Sequence, residues 1–123
     1  MNREGIQRRI DNHDEGACAN FSGEDISRID FSGKALAGAN FAMVNAYKAD
    51  FNGAILAGAN FYMADLINTN FSNADIVGAN FSRANLYRAD LSKASIWGAQ
   101  FLGARMDEIK MNFLNLPSLK MVS

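Results

Sequence analysis

ALAGANF at residues 35–41 returns almost unchanged as ILAGANF at 55–61, as DIVGANF at 75–81 and as SIWGAQF at 95–101. The phrase therefore recurs every twenty residues. A shorter period of five lies inside it, because residues 19–108 divide into eighteen pentapeptides without an insertion. The middle residue of every unit is apolar, alanine opens thirteen units, and asparagine or aspartate stands second in thirteen. An internal repeat of this kind predicts a solenoid.

A period of five is incompatible with an α-helix. Five residues advance a helix by about 500°, so the apolar side chains would spread around it instead of forming one face. Glycine also ends eight units, and each glycine inside a helix would cost about 1 kcal/mol. The small–polar–large order of the first three residues instead fits a short extended side, with the first and third side chains pointing inward. The last two residues then turn a corner, where glycine permits the positive φ of a type II turn.

The twenty-residue phrase sets the length of one coil. Four pentapeptides per coil give a square tube in which residues twenty apart lie in columns. The predicted fold is an all-β solenoid, a quadrilateral parallel β-helix of about four and a half coils. The asparagine and aspartate in second position are expected to accept backbone hydrogen bonds beside the turns. The predicted structural core has two phenylalanine columns, formed by Phe21, Phe41, Phe61, Phe81 and Phe101 and by Phe31, Phe51 and Phe71.

Three units carry a family signature. ADLIN at 64–68, ANLYR at 84–88 and ADLSK at 89–93 match the A(D/N)LXX unit of the pentapeptide-repeat family. The sequence resembles that family throughout residues 19–108. The resemblance implies that the β-helix is right-handed. It also implies a range of functions, because some members resemble B-form DNA in shape and charge and act on DNA gyrase, protecting it against quinolones or inhibiting it.

The segments that flank the repeats are expected to cap the tube. Residues 1–18 form the N-terminal cap, in which IQRRID at 6–11 favours a short helix. Residues 109–123 are too apolar for a solvated tail, so they form either a lid on the tube or a dimer contact. The resemblance to family members that dimerise tail to tail favours the dimer contact. The candidate residues of this dimerisation tail are Phe113, Leu114, Leu116 and Leu119.

Charge, cysteine content and hydrophobic runs indicate which partners and which cellular compartment suit the protein. The net charge is −1, so no excess of one charge indicates nucleic acid or a membrane surface as partner. Cys18 is the only cysteine, which excludes an intrachain disulfide and fits a reducing compartment. The charged N-terminus lacks the apolar region of a signal peptide, and no apolar run approaches the roughly 18 residues of a transmembrane helix. The sequence therefore predicts a cytoplasmic protein without a membrane segment.

The sequence offers little for catalysis. His13 is the only histidine and Cys18 the only cysteine, too few such ligands for a metal cluster of histidines and cysteines. The serines lack the residues that surround a nucleophile, and the glycines are corner residues rather than a phosphate-binding loop. A tube filled with side chains also leaves no cleft for a small-molecule substrate. We therefore expect no enzymatic activity and no cofactor.

The outward positions suggest two candidate binding features. One is a smooth apolar surface on two adjoining sides of the tube, larger than a soluble monomer usually exposes. Its candidate partner-binding residues are Met43, Ile55, Tyr62, Met63, Val77 and Trp97. The other is a candidate acidic edge formed by Asp25, Asp30, Asp50, Asp65 and Asp90.

These features support two main hypotheses. The first is a non-enzymatic module that binds a protein, and that acts as a DNA mimic on a DNA-handling enzyme such as DNA gyrase, including as a phage or mobile-element inhibitor of a host system. The alternative is a structural scaffold that uses its apolar face or its tail to form a homodimer. Direct nucleic-acid binding through Tyr47, Lys48, Tyr87 and Arg88 is the weakest hypothesis, because aspartates stand between these residues.

Overall fold

The computed structural model of the chain describes residues 3–11 and 19–112. One helix, α1 (Arg3–Asp11), precedes a regular succession of short sides and turns. Each pentapeptide contributes one bridged residue and a two-residue turn. In the described part of the chain, all parallel pairing is therefore through isolated bridges, and no strand is longer than one bridged residue. A side of the tube is thus too short to pair as a strand at more than one residue.

The bridges define the coil. Each joins residues twenty apart in parallel, from Asn20 and Asn40 at one end to Asp90 and Lys110 at the other. The backbone groups on either side of a bridge bond to different neighbours: the Phe61 N–H donates to the Asn80 carbonyl at 2.7 Å, and the Asn60 N–H donates to the Ala39 carbonyl at 2.9 Å. Every inner coil is therefore bonded to the coil before it and to the coil after it, which gives a β-helix.

Phenylalanine rings fill the tube. Phe61 stacks on Phe41 and on Phe81, with ring centroids 4.8 and 5.0 Å apart and nearly parallel planes. Its edge meets the rings of Phe51 and Phe71 at 5.6 and 5.4 Å and at 89°. Both arrangements are favourable for aromatic pairs. The structure places the core phenylalanines in two parallel columns, Phe21–Phe41–Phe61–Phe81–Phe101 and Phe31–Phe51–Phe71.

The alanines that open the units point inward, and most of them are fully buried. Thr69 occupies such a position and is buried as well. Its hydroxyl donates to the Ala46 carbonyl at 2.7 Å, so the buried donor is satisfied. Ala46 itself stands where other units carry a large residue, in the column between the buried side chains of Ile26 and Leu66.

Each corner has the same backbone conformation. The fifth residue of every unit, from Gly23 to Glu108, has a φ between +55° and +74°. Eight of these residues are glycine, for which this region carries no steric penalty. For other L-residues the left-handed region costs about 1–2 kcal/mol. The ten non-glycine residues that adopt it are Arg28, Met43, Lys48, Met63, Asn68, Asn73, Arg83, Arg88, Lys93 and Glu108.

Helix α1 packs against the first coil. Ile6 and Ile10 are buried in the same apolar cluster as the phenylalanine columns. The Gln7 side-chain amide accepts from the Asp30 N–H at 3.4 Å and donates to the Asp30 carbonyl at 3.3 Å. It thereby replaces the peptide group that a preceding coil would supply, which protects an open β-edge. The helix begins three residues before the IQRRID stretch in which the sequence predicts it. The candidate dimerisation residues Phe113, Leu114, Leu116 and Leu119 lie outside the described residues.

Candidate protein-binding surface

The four sides of the tube present four different faces. We number them in chain order by the central residue of their first unit: face 1 begins at Phe21, face 2 at Ile26, face 3 at Phe31 and face 4 at Leu36. Each later unit lies twenty residues further along the same face. Within a unit the second, fourth and fifth side chains are directed to solvent, so each face can be read directly from the sequence.

Faces 4 and 1 adjoin and together carry a largely apolar surface, along which one amide column runs on face 1: Asn20, Asn40, Asn60, Asn80 and Gln100. The corner between them carries only glycine, and the space that a Cβ atom would occupy at Gly58 or Gly78 is open. No side chain therefore separates the two faces there. The exposed large hydrophobic residues of the described chain all belong to this surface or to its far corner: Met43 (59% exposed), Ile55 (47%), Met63 (48%), Trp97 (67%) and Leu102 (50%).

The six residues predicted for this surface lie on face 4, on face 1 and at the corner between faces 1 and 2. Ile55, Val77 and Trp97 lie on face 4, with Val77 and Trp97 in one column. Tyr62 lies on face 1, and Met43 and Met63 stand at the corner between faces 1 and 2. Tyr62 and Val77 are partly buried, so Trp97 is the most prominent side chain of the set.

The acidic residues lie in two columns on adjoining faces. Asp25 and Asp65 alternate with asparagine on face 2, whereas Asp30, Asp50 and Asp90 share a face 3 column with Asn70 and Lys110. One carboxylate oxygen of each accepts the N–H of the residue two positions later, at 2.9 to 3.2 Å. The thirteen second-position asparagines and aspartates all make this bond, as the turn chemistry of these residues favours.

Hydrogen bonding also sets the ionisation of Asp30. Its carboxylate accepts from the Ser32 hydroxyl at 2.6 Å and from the Ser32 N–H at 2.9 Å. These two bonds lower the pKa of Asp30, the hydroxyl contributing more than the N–H, and Lys34 lowers it slightly further. Asp30 is therefore charged at neutral pH, but its carboxylate is already engaged by the N–H and the hydroxyl of Ser32 in the turn.

Near residue 108, charged side chains at the end of the tube form ion pairs with one another. Arg88 bonds to Glu108 at 3.3 Å, and Arg105 bonds to Asp107 at 2.8 Å. The Arg105 guanidinium lowers the pKa of Asp107. Both pairs are more than half exposed, so solvent screens them and they add little to the stability of the fold.

An open groove of about 510 Å³ lies at the corner between faces 2 and 3. Polar and charged side chains line it, in contrast to the apolar lining of most small-molecule sites. Within residues 3–11 and 19–112, no three histidine, cysteine, aspartate or glutamate side chains are grouped so that they could hold a metal ion. In the same ranges no helix has the length and apolar character needed to span a bilayer. The groove is lined by Asn68, Thr69, Asn70, Arg88, Asp90, Glu108 and Lys110.

Comparison with known families agrees with this geometry. The family described as pentapeptide repeats matches residues 36–73 and 69–107, with eight copies of its repeat. The chain belongs to the pentapeptide-repeat family. Among curated protein sequences, none matches this pentapeptide-repeat protein.

Several solved pentapeptide-repeat proteins, which are right-handed quadrilateral β-helices, share its fold. HetL from the cyanobacterium Nostoc sp. strain PCC 7120, involved in heterocyst differentiation regulation, superposes with a TM-score of 0.60 at 24% identity over 76% of this chain and 50% of HetL. Rfr23 from the cyanobacterium Cyanothece 51142 gives 0.57 at 21% identity, over 89% of this chain and 95% of Rfr23.

A third similar structure is QnrB1, a plasmid-mediated fluoroquinolone resistance protein. A trypsin-treated variant of QnrB1 gives a TM-score of 0.56 at 24% identity, over 77% of this chain and 44% of that chain. The present chain thus spans about half the length of HetL and less than half that of QnrB1. At these identities the likeness concerns the fold.

Proposed function

We propose that this pentapeptide-repeat protein is a non-enzymatic interaction module that binds another protein through the surface of faces 4 and 1. The observation that carries the proposal is the location of the exposed large hydrophobic side chains of residues 3–11 and 19–112, all on this surface or at its corner. Contiguous apolar patches of this kind mark interaction sites in soluble proteins. Pentapeptide-repeat proteins are also generally non-enzymatic structural or interaction modules.

The surface has the physical properties of an efficient binding site. Trp97 is a large exposed aromatic residue, the type that most often dominates the binding energy of an interface. The backbone beneath it is hydrogen-bonded to the preceding coil, since the Trp97 carbonyl accepts from the Gly78 N–H at 2.9 Å. A partner therefore gains contact area without ordering a flexible loop, which reduces the entropic cost of binding.

Replacing Trp97 by aspartate should strongly reduce capture of the partner. We expect wild-type protein immobilised on beads to retain a specific protein from host cells, and the Trp97→Asp variant to retain at least about tenfold less of it, a loss of about 1.4 kcal/mol or more. Asn73→Asp is the matched control, because it adds the same charge at an exposed corner between faces 3 and 4. Equal retention by all three proteins, measured by quantitative mass spectrometry, would exclude this surface as the binding site.

The alternative function, a homodimeric scaffold, involves the same residue but a different measurement. If the apolar surface mediates self-association, sedimentation should give twice the mass of one chain for the wild type and for Asn73→Asp, and the mass of one chain for Trp97→Asp. A monomeric wild type would leave the surface available for a different protein.

A second candidate function is mimicry of DNA toward a DNA-handling enzyme such as DNA gyrase. The observation that favours it is the face 3 column, where Asp30 and Asp50 are one coil spacing of about 4.8 Å apart and Asp90 follows two coils after Asp50, beyond Asn70. The fold shared with QnrB1, a fluoroquinolone resistance protein, gives further support. Lys93 and Lys110 lie on the same face and reduce its negative charge.

Charge reversal tests this second candidate. We expect the wild-type protein to alter DNA supercoiling by gyrase at micromolar concentration, and the variant that combines Asp50→Lys with Asp90→Lys to lose this effect, because a DNA mimic depends on its negative potential. Trp97→Asp should retain it. No effect of the wild-type protein on supercoiling would refute the gyrase hypothesis and leave the interaction module intact.

A further inference from the structure

Face 2 differs from the other three faces because long side chains border it on both sides. The corner before it carries a ridge that we call the methionine ridge: Met43, Met63 and Arg83. The corner after it carries the basic ridge: Arg28, Lys48, Asn68 and Arg88. Between the two ridges, in one column, lie the partly buried side chains of Tyr47, Ile67 and Tyr87. Face 2 is therefore a trough whose floor has an aromatic and aliphatic column beside a polar column of Asp25, Asn45, Asp65 and Asn85.

The backbone conformation at the two ridges costs conformational energy, because non-glycine residues adopt a positive φ there. Every corner of the tube requires a positive φ, and glycine meets that requirement without strain. The corner between faces 4 and 1 uses glycine in every coil. Of the ten non-glycine corner residues with positive φ in the described coils, eight instead stand at the two corners of face 2. Non-glycine residues held in this region tend to cluster at ligand-binding and other functional sites. The eight are Arg28, Met43, Lys48, Met63, Asn68, Arg83, Arg88 and Glu108.

The tyrosines of the floor hold the cations of the wall. The Arg28 guanidinium and the Lys48 ammonium lie 5.4 and 5.5 Å from the centre of the Tyr47 ring. Arg88 of the basic ridge lies 5.7 Å from the centre of the Tyr87 ring, and Arg105, which stands on face 2 itself, lies 4.4 Å from it. Such cation–π contacts orient the charged groups. They also occupy the rings, which are then not free to stack on the bases of a single-stranded nucleic acid.

The positive charge of the basic ridge is least compensated near its first two coils. Arg88 is paired with Glu108, whereas neither Arg28 nor Lys48 forms an ion pair with another described residue. Asp25 and Asp65 also lie on face 2, where each carboxylate accepts the N–H of a turn residue, at 3.0 and 3.2 Å. An anionic group that enters the trough would thus meet two cations along one wall that no described carboxylate pairs.

We propose that this trough binds an extended peptide segment in which acidic and apolar residues alternate. Successive side chains of an extended chain point to opposite sides. Acidic side chains would then meet the basic ridge on one side while apolar side chains contact Met43 and Met63, both about half exposed, on the other. From Arg28 to Arg88 the ridge spans three coil spacings, about 14 Å, which is the length of about four extended residues. This site is separate from Trp97 and the glycine corner, although the methionine ridge borders both surfaces.

The proposal is tested first with defined probes. A fluorescein-labelled hexapeptide of alternating glutamate and leucine should bind the wild-type protein at least about tenfold more tightly, in fluorescence anisotropy, than a lysine–leucine hexapeptide or an all-glutamate hexapeptide. Its binding should weaken as salt is raised from about 50 to 500 mM, because added ions screen exposed charges. Tighter binding of a single-stranded oligonucleotide than of the glutamate–leucine peptide would overturn the proposal and assign the trough to nucleic acid.

Glycine substitution separates binding from structural integrity. The double variant Arg28→Gly with Lys48→Gly relieves two strained corners, so we expect its melting temperature to rise by a few degrees, while its affinity for the glutamate–leucine peptide falls at least about tenfold. Lys93→Gly is the matched control, because it removes the same kind of residue from a corner that does not border face 2. It should raise the melting temperature and leave peptide binding unchanged.

Two results of the variant experiment would refute the proposal. One is unchanged affinity of the Arg28→Gly and Lys48→Gly variant for the peptide. The other is an equal loss of affinity in Lys93→Gly, which would indicate general charge attraction instead of a trough. Trp97→Asp should bind the peptide as the wild type does, so failure of the apolar-surface hypothesis and failure of this one can be distinguished.

Discussion

Replacing Phe61 by alanine is expected to lower the free energy of unfolding by about 3–5 kcal/mol. The Phe61 ring is fully buried and lies between two stacked rings, Phe41 and Phe81, while its edge meets Phe51 and Phe71. The hydrogen-bonded coils above and below fix the spacing of the column, so the tube cannot easily collapse around the cavity. Urea denaturation followed by circular dichroism measures the loss.

Two controls define this effect. Leu102→Ala removes an exposed side chain from the same face and should change the stability by no more than about 0.5 kcal/mol. Phe101→Ala should cost less than Phe61→Ala, because Phe101 stacks on only one ring among the described residues, that of Phe81. If Phe61→Ala were no more harmful than Leu102→Ala, the columns could not be the main source of stability.

Enlarging Ala59 to leucine is expected to destabilise the protein by about 1–3 kcal/mol through overpacking. Ala59 is the first residue of its unit, directly after the corner at Gly58, and its side chain is fully buried. Ala39 and Ala79 occupy the same position in the adjoining coils and are also fully buried. The added isopropyl group therefore has no space along the tube axis, and thermal unfolding should show a lower midpoint.

Ala57→Leu provides the comparison for Ala59→Leu. Ala57 belongs to the neighbouring unit and lies in the fourth position, where the side chain is directed outward and only partly buried. The same change of residue type should then alter the stability by no more than about 0.5 kcal/mol. Equal destabilisation by the two substitutions would contradict the assignment of the first position to the interior.

The repeat made much of the fold predictable. Because the side chains of an extended segment alternate, the register of one unit assigns the inward and outward positions of all the others. Phe41 and Phe61 are twenty residues apart in sequence, and the structure has them stacked at 4.8 Å. The turn bonds of the second-position residues followed from the known preference of asparagine and aspartate for accepting backbone hydrogen bonds.

The backbone conformation of the non-glycine corner residues could not be predicted from the sequence. Sequence alone assigns a positive φ to glycine, yet Met43 and Lys48 adopt it as well, at 58° and 57°. The hydrogen bonds of the adjoining coils impose the corner conformation and override the preference of the individual residue. The strain at face 2, on which the proposed peptide site depends, was therefore visible only in the structure.

The N-terminal contact was beyond prediction for a different reason. A helical tendency in residues 6–11 could be recognised, but the pairing of Gln7 with Asp30 depends on how the helix sits on the first coil. Non-periodic contacts of this kind carry no signature in the repeat. Likewise, the sequence identifies the residues that face solvent, such as Trp97, without indicating which of these surfaces has a partner.

The single bridged residue on each side has a consequence for how such a protein can change in length. Removing five residues from the middle of the tube would keep the turns intact but rotate everything that follows by a quarter turn, so Trp97 would move to a different face. Removing or duplicating twenty residues would preserve the face of every later side chain. Gene rearrangements that retain a binding surface are thus restricted to whole coils, whereas shorter ones move later side chains to other faces.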